Sequence, residues 1–117
     1  MDEDWARPVV HFEIEARDPD TLIPFYESLF HWPVGDGVIR TFPAGLGGPE
    51  PGPAGHFRQS SRSGVTLYIQ VRDLAATIAR AGELGATVTM ERLDLPDGPS
   101  LAAIIDPEGN PITLVQQ

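Results

Sequence analysis

From Val9 to Glu15 hydrophobic and polar residues alternate, with Val10, Phe12 and Ile14 on one side and Val9, His11, Glu13 and Glu15 on the other. Successive side chains of an extended chain point to opposite faces, so this period of two predicts a strand with one buried side and one side open to polar chemistry. Asp18-Pro19-Asp20-Thr21 then supplies capping side chains and a starter proline, and Leu22, Phe25, Tyr26, Leu29 and Phe30 follow at helical spacing. Pro24 would remove a hydrogen bond from a helix interior, so the regular helix is expected to begin near Asp20 or Thr21, the alternative being a kink at the proline. Short extended pieces are expected around Pro33 to Gly35 and Val38 to Phe42.

Residues 43–55 contain nine Pro or Gly among thirteen. No helix or central strand is expected to cross them, and the segment reads as a connecting loop or as a lid over a site. A short strand near His56 to Gln59 should follow. Val65 to Val71 alternates again, with Val65, Leu67, Ile69 and Val71 on one face and Thr66, Tyr68 and Gln70 on the other. Asp73 caps a second helix with Leu74, Ile78 and Ala81 on one stripe, and Gly85 stops it after Leu84. Strands are expected near Thr87 to Glu91, Leu101 to Ile105 and Ile112 to Gln116, the last two joined by the tight turn Asp106-Pro107-Glu108-Gly109-Asn110.

Composition narrows the function. The 117 residues fit one domain, and the absence of cysteine excludes disulfides, thiolate metal sites and cysteine nucleophiles. Any metal would need His or carboxylate ligands. A formal charge of −9 repels phosphate backbones and anionic membranes, so neither nucleic acid nor membrane is an expected partner. Met1 to Arg7 lacks the basic start and apolar run of a secretory signal, and no long apolar run follows, so a soluble cytoplasmic protein is expected. Nucleophile constellations, phosphate loops and dinucleotide fingerprints are missing, which gives hydrolase, kinase and nicotinamide chemistry no support.

Setting His11-Phe12-Glu13-Ile14-Glu15-Ala16-Arg17-Asp18 over Thr66-Leu67-Tyr68-Ile69-Gln70-Val71-Arg72-Asp73 gives a constant offset of 55 with Ile, Arg and Asp in register. Each half then runs strand, capped helix and about three more strands, the mark of a duplicated supersecondary unit. The boundaries are about 8–60 for module one and 64–117 for module two. One helix can cover only one face of each module's strands, so the predicted α+β fold is two βαβββ modules forming a curved mixed sheet around a groove, with the helices on the outer face.

The His11 strand ending in Arg17-Asp18, the stretch Phe25-Tyr26-Glu27-Ser28-Leu29-Phe30-His31-Trp32, the segment Tyr68-Ile69-Gln70-Val71-Arg72-Asp73 and the closing Asp106-Pro107-Glu108-Gly109-Asn110-Pro111-Ile112 occur in an order that resembles the vicinal oxygen chelate superfamily. That superfamily includes glyoxalase I, bleomycin resistance proteins and extradiol dioxygenases. The resemblance implies paired βαβββ modules and a homodimer. It also implies one His or Glu metal ligand on the first and last strand of each module, leaving positions for an oxygen substrate. His11 matches the first position and Thr66 its equivalent in module two. Thr113 matches the last strand, and His56 is the candidate for the remaining position, on one face with Arg58.

Two imidazoles without an anionic donor hold a divalent metal weakly, so no cofactor is expected, the alternative being a degenerate His11–His56 site for Zn, Ni, Mn or Fe. Glu13 is the candidate displaced ligand or general base, its other reading being a strand carboxylate paired with Arg58. His31 is read as a charge partner for the helix dipole and Trp32 as a packing residue. Asp106 and Glu108 are read as turn residues. The expected function is binding of a small, aromatic or cationic molecule in a groove lined by His11, Glu13, Arg58, Thr66, Tyr68 and Thr113. The alternatives are a metal-dependent lyase, isomerase or dioxygenase and a dimeric regulatory or interaction module.

Overall fold

Asp18 and Asp73 each start a helix by the same device: Asp18 Oδ1 accepts the Thr21 N–H at 3.4 Å and Asp73 Oδ1 accepts the Ala76 N–H at 3.0 Å. These caps set the beginnings of the two helices in a computed structural model that describes residues 6–37, 39–45 and 52–116. In chain order the elements are β1 (Val9–Ala16), α1 (Pro19–Phe30), β2 (Arg40–Phe42), β3 (Ala54–Gln59), β4 (Gly64–Gln70), α2 (Leu74–Glu83), β5 (Thr87–Asp94), β6 (Ser100–Ile105) and β7 (Pro111–Gln116). Parallel and antiparallel pairings both occur, which makes the fold α+β.

The chain divides into two units. One spans His11–Thr66, and the other joins Met1–Val10 to Leu67–Gln117. In the first, β1 pairs in parallel with β3, and β3 pairs antiparallel with β2. In the second, β4 pairs in parallel with β7, which pairs antiparallel with β6, and β6 with β5. The repeat read from the offset of 55 therefore has a topological counterpart, because in both halves the opening strand lies parallel beside the closing one. The second half is a complete strand-helix-three-strand module. The first has two described strands after its helix, and the stretch around Pro33 to Gly35 is not a strand, although the Gly35 N–H donates to the Thr41 carbonyl at 2.8 Å.

Helix α1 begins at Pro19 with Asp18 as its cap, earlier than the expected start near Asp20 or Thr21, and Pro24 lies inside it. The cap explains the difference, since the Asp18 carbonyl already accepts the N–H groups of Thr21 and Leu22, and the helix gives up only the one bond Pro24 cannot donate. The apolar face also shifts. Ile23 is the buried residue of the helix, whereas Phe25, Leu29 and Phe30 are each more than half exposed. Ile23 packs with Ile14, Phe42 and Phe57, and Phe12, Leu22, Tyr26, Trp32 and Val34 extend that core. Trp32 stacks on Phe42 with ring centroids 4.5 Å apart, the packing role its position after the helix predicts. His31 ends α1 in the left-handed conformation, φ 59°, with its N–H donating to the Glu27 carbonyl. Its described role is a backbone cap.

Ala54 and Gly55 belong to β3, so the Pro/Gly segment does not exclude strand structure throughout. Gly55 is needed there because a Cβ would fall 2.5 Å from Phe42 Cζ and 2.9 Å from the Phe12 carbonyl oxygen. The question of a lid concerns residues 46–51, which lie outside the described residues. In the other unit Leu74, Val71, Ala102, Ile104 and Leu114 form the core, with Ile78 and Ala81 of α2 packed against it as their stripe predicts. Leu84 caps the helix and Gly85 follows with φ 99°. Among the described residues no helix is long and apolar enough to cross a membrane.

Candidate functional site

Strand β1 places His11, Glu13 and Glu15 on one side, and its parallel register sets Glu13 opposite His56 and Glu15 opposite Arg58. The polar side is not bare. Glu13, Glu15 and His56 are all buried, contrary to a strand with one solvated face, and Thr66 is buried while Val65 and Leu67 of the expected apolar face are exposed. Buried carboxylates require partners, and each has them here.

Glu13 Oε2 accepts from His56 Nε2 at 2.9 Å and from Arg58 Nε at 2.8 Å. Glu15 accepts from Arg58, from the Ser60 hydroxyl and from Arg62, each at about 3 Å. The far side of the His56 ring completes the chain, with its Nδ1 lying 2.8 Å from His11 Nε2. The two imidazoles also stack, with centroids 5.0 Å apart.

The bond to His56 and the Arg58 guanidinium hold the Glu13 carboxyl down at about 2 despite its burial, so it is an anion and can only accept. His56 Nε2 must then carry the proton it donates. In a singly protonated His56 its Nδ1 accepts from His11 Nε2–H, the roles at this contact being set by the tautomer. Burial and the neighbouring His56 lower the pKa of His11, with Glu13 opposing, so His11 is neutral at neutral pH. A proton arriving at His11 would place positive charge on the imidazole pair with the buried Glu13 anion behind it. This is the arrangement of a carboxylate-backed general base.

The structure thus brings together His11, Glu13, His56 and Arg58 within one unit. Tyr68 and Thr113 are register partners in the other unit, both half-buried. With the offset of 55, Glu13 corresponds to Tyr68, so their register partners His56 and Thr113 occupy equivalent positions. The four positions that the resemblance assigns to metal ligands are therefore His11, His56, Thr66 and Thr113. Two imidazoles bonded to each other and two hydroxyls do not make the charge-balancing donor set of a divalent centre, and Glu13 is turned to the far nitrogen of His56 and to Arg58. Sequence reasoning left out Glu15, Ser60 and Arg62. Glu15 shares the parity of Glu13, which was the available signal, whereas Arg62 reaches it only through the β3–β4 turn.

The whole of this array falls in the region, residues 11–115, that matches the model of the glyoxalase-like domain family. No curated protein matches the chain. Among solved structures, a glyoxalase/bleomycin resistance protein/dioxygenase superfamily member from Vibrio splendidus 12B01 is 15% identical, with 96% of this chain and 100% of that one covered and a TM-score of 0.69. Methylmalonyl-CoA epimerase in complex with methylmalonyl-CoA and NH4+ is also 15% identical, with coverage of 95% and 94% and a TM-score of 0.66. The epimerase from Mycobacterium tuberculosis is 19% identical, with coverage of 92% and 86% and a TM-score of 0.63. At such identities these structures show the fold alone. With the family match across nearly its whole length and the repeated modules of its fold, the chain belongs to the glyoxalase-like domain family.

Proposed function

We propose that this protein binds a small organic molecule at the His11 end of the Glu13–His56–His11 chain and works without a complete metal site. The hydrogen-bonded order of those three side chains carries the reading. It ties the carboxylate to one imidazole and that imidazole to the other, and it leaves half-buried His11 as the member of the chain nearest solvent. His11 then serves the ligand as a neutral hydrogen-bonding group that can accept a proton, and Glu13 and His56 position it. Arg58, with 44% of its side chain exposed, stands beside the array and suits an oxygen of the same ligand. The small-molecule complex of the methylmalonyl-CoA epimerase neighbour supports a ligand-binding role on this fold.

A screen of small aromatic and cationic compounds by thermal shift, on wild type and His11→Ala, tests this reading. The expected result is one compound class that raises Tm in wild type, with the gain lost in His11→Ala when each protein is compared with its own ligand-free Tm. Gains that survive His11→Ala would place the ligand elsewhere and contradict the proposal. A metal-dependent lyase, isomerase or dioxygenase is the second reading. It is favoured by the 2.8 Å approach of His11 Nε2 and His56 Nδ1, two donors that a small ring rotation could turn toward one ion.

A further inference from the structure

The unit containing α2 has a groove of its own that the Glu13–His56–His11 chain does not touch. It measures about 520 Å3, within the range of small-molecule sites, and its apolar lining includes Ala81, Leu84, Ala86, Ile104 and Pro107. Ile104 belongs to the core, and Ala81 and Ala86 pack against that core, so the floor is fixed. Three arginines, Arg7, Arg72 and Arg80, also line it.

Arginine supplies all eight Lys/Arg positions of the chain, and three of them line this one groove in a protein of charge −9. The two carboxylates in the lining are turned to backbone caps. Asp73 accepts from Ala76 N–H, while Asp106 accepts from the N–H groups of Glu108 and Asn110 and, with its second oxygen, from the Asn110 side chain. Arg80 donates to Glu83, and Arg7 and Arg72 are engaged as well, but a guanidinium has five N–H donors, so an arginine that already has a partner still has donors to offer.

We infer that this groove binds a monocarboxylate with an apolar tail, the carboxylate held by guanidinium N–H groups and the tail laid on Ile104, Ala81 and Ala86. The pairing follows from the chemistry of the lining. Guanidinium and carboxylate match as bidentate partners, and the apolar floor favours an alkyl or aryl tail over a compact inorganic anion. Long-range repulsion from the acidic chain weakens every anion equally, so selectivity for carboxylate over neutral analogue must come from the arginines.

The test titrates the intact protein with sodium decanoate, decan-1-ol and decyltrimethylammonium below their micellar concentrations, following binding by calorimetry and backbone-amide NMR. Decanoate is expected to bind saturably and about tenfold more tightly than the alcohol, the scale of one charge-assisted contact. Its shifts should centre on Ala76, Thr77, Leu84 and Ala86. Arg72→Gln/Arg80→Gln should weaken decanoate by about tenfold or more and leave the alcohol unchanged, whereas His11→Ala should leave both unchanged. Arg80 is 65% exposed in its side chain, so its substitution tests recognition with little effect on folding. Equal affinity for the alcohol, insensitivity to the double substitution, shifts centred on His11, or no saturation in the millimolar range would each overturn the inference.

Discussion

At the residue scale, the proposed function rests on Glu13 remaining an anion behind His56. Its carboxyl is held at about 2 in the folded chain against an ordinary value of 4.5, so its contribution is complete above about 4.5 and is lost as pH falls through 2. With only 9% of the side chain exposed, that shift corresponds to stability of the order of 3 kcal/mol. Urea unfolding at pH 7 and pH 2.5 should therefore show a smaller acid loss in Glu13→Gln than in wild type; equal losses would mean that the carboxylate does not hold this network. Lowering of the His11 pKa has the same sign, so part of the stability present above about 6.5 is also lost on acidification. Gly55 is the second residue with a single physical requirement. Ala at this position puts a methyl 2.5 Å from Phe42 Cζ and should cost about 1–3 kcal/mol in chemical denaturation.

At the scale of elements, the reading from sequence succeeds where a pattern is local. Caps, breaks and period-two strands are set by neighbouring residues, and Asp18, Asp73 and Gly85 stand where their chemistry calls for them. It is weaker where the outcome depends on partners far along the chain. The apolar spacing of α1 includes Phe25 and Leu29, yet the packing chooses Ile23, and only the placement of Phe42 and Phe57 decides between those faces. The site divides in the same way. Strand parity places His11 and Glu13 on one side, so these candidates are legible. The order Glu13 to His56 to His11 is not, because it requires the β1–β3 register across more than forty residues. The burial of Glu15 has the same origin, since Arg58, Ser60 and Arg62 come from that distant strand and the turn after it.

At the scale of the whole molecule, we propose a homodimer, as the superfamily resemblance implies and as the exposure of Phe25, Leu29 and Phe30 on α1 supports. Sedimentation velocity should give twice the 12.7 kDa chain mass, and a clean monomer at high concentration would refute it. The repeat leaves a chemical asymmetry between the halves: the strand positions that carry His11 and His56 in one module carry Thr66 and Thr113 in the other. With that asymmetry we propose an incomplete metal site, and metal uptake is its test. The measurement is elemental analysis of protein purified without chelator, followed by zinc, nickel, manganese and iron(II) titrations of wild type and His11→Ala. No tight, stoichiometric metal and no difference between the two proteins are expected; near-stoichiometric metal that His11→Ala abolishes would overturn the reading of an incomplete site.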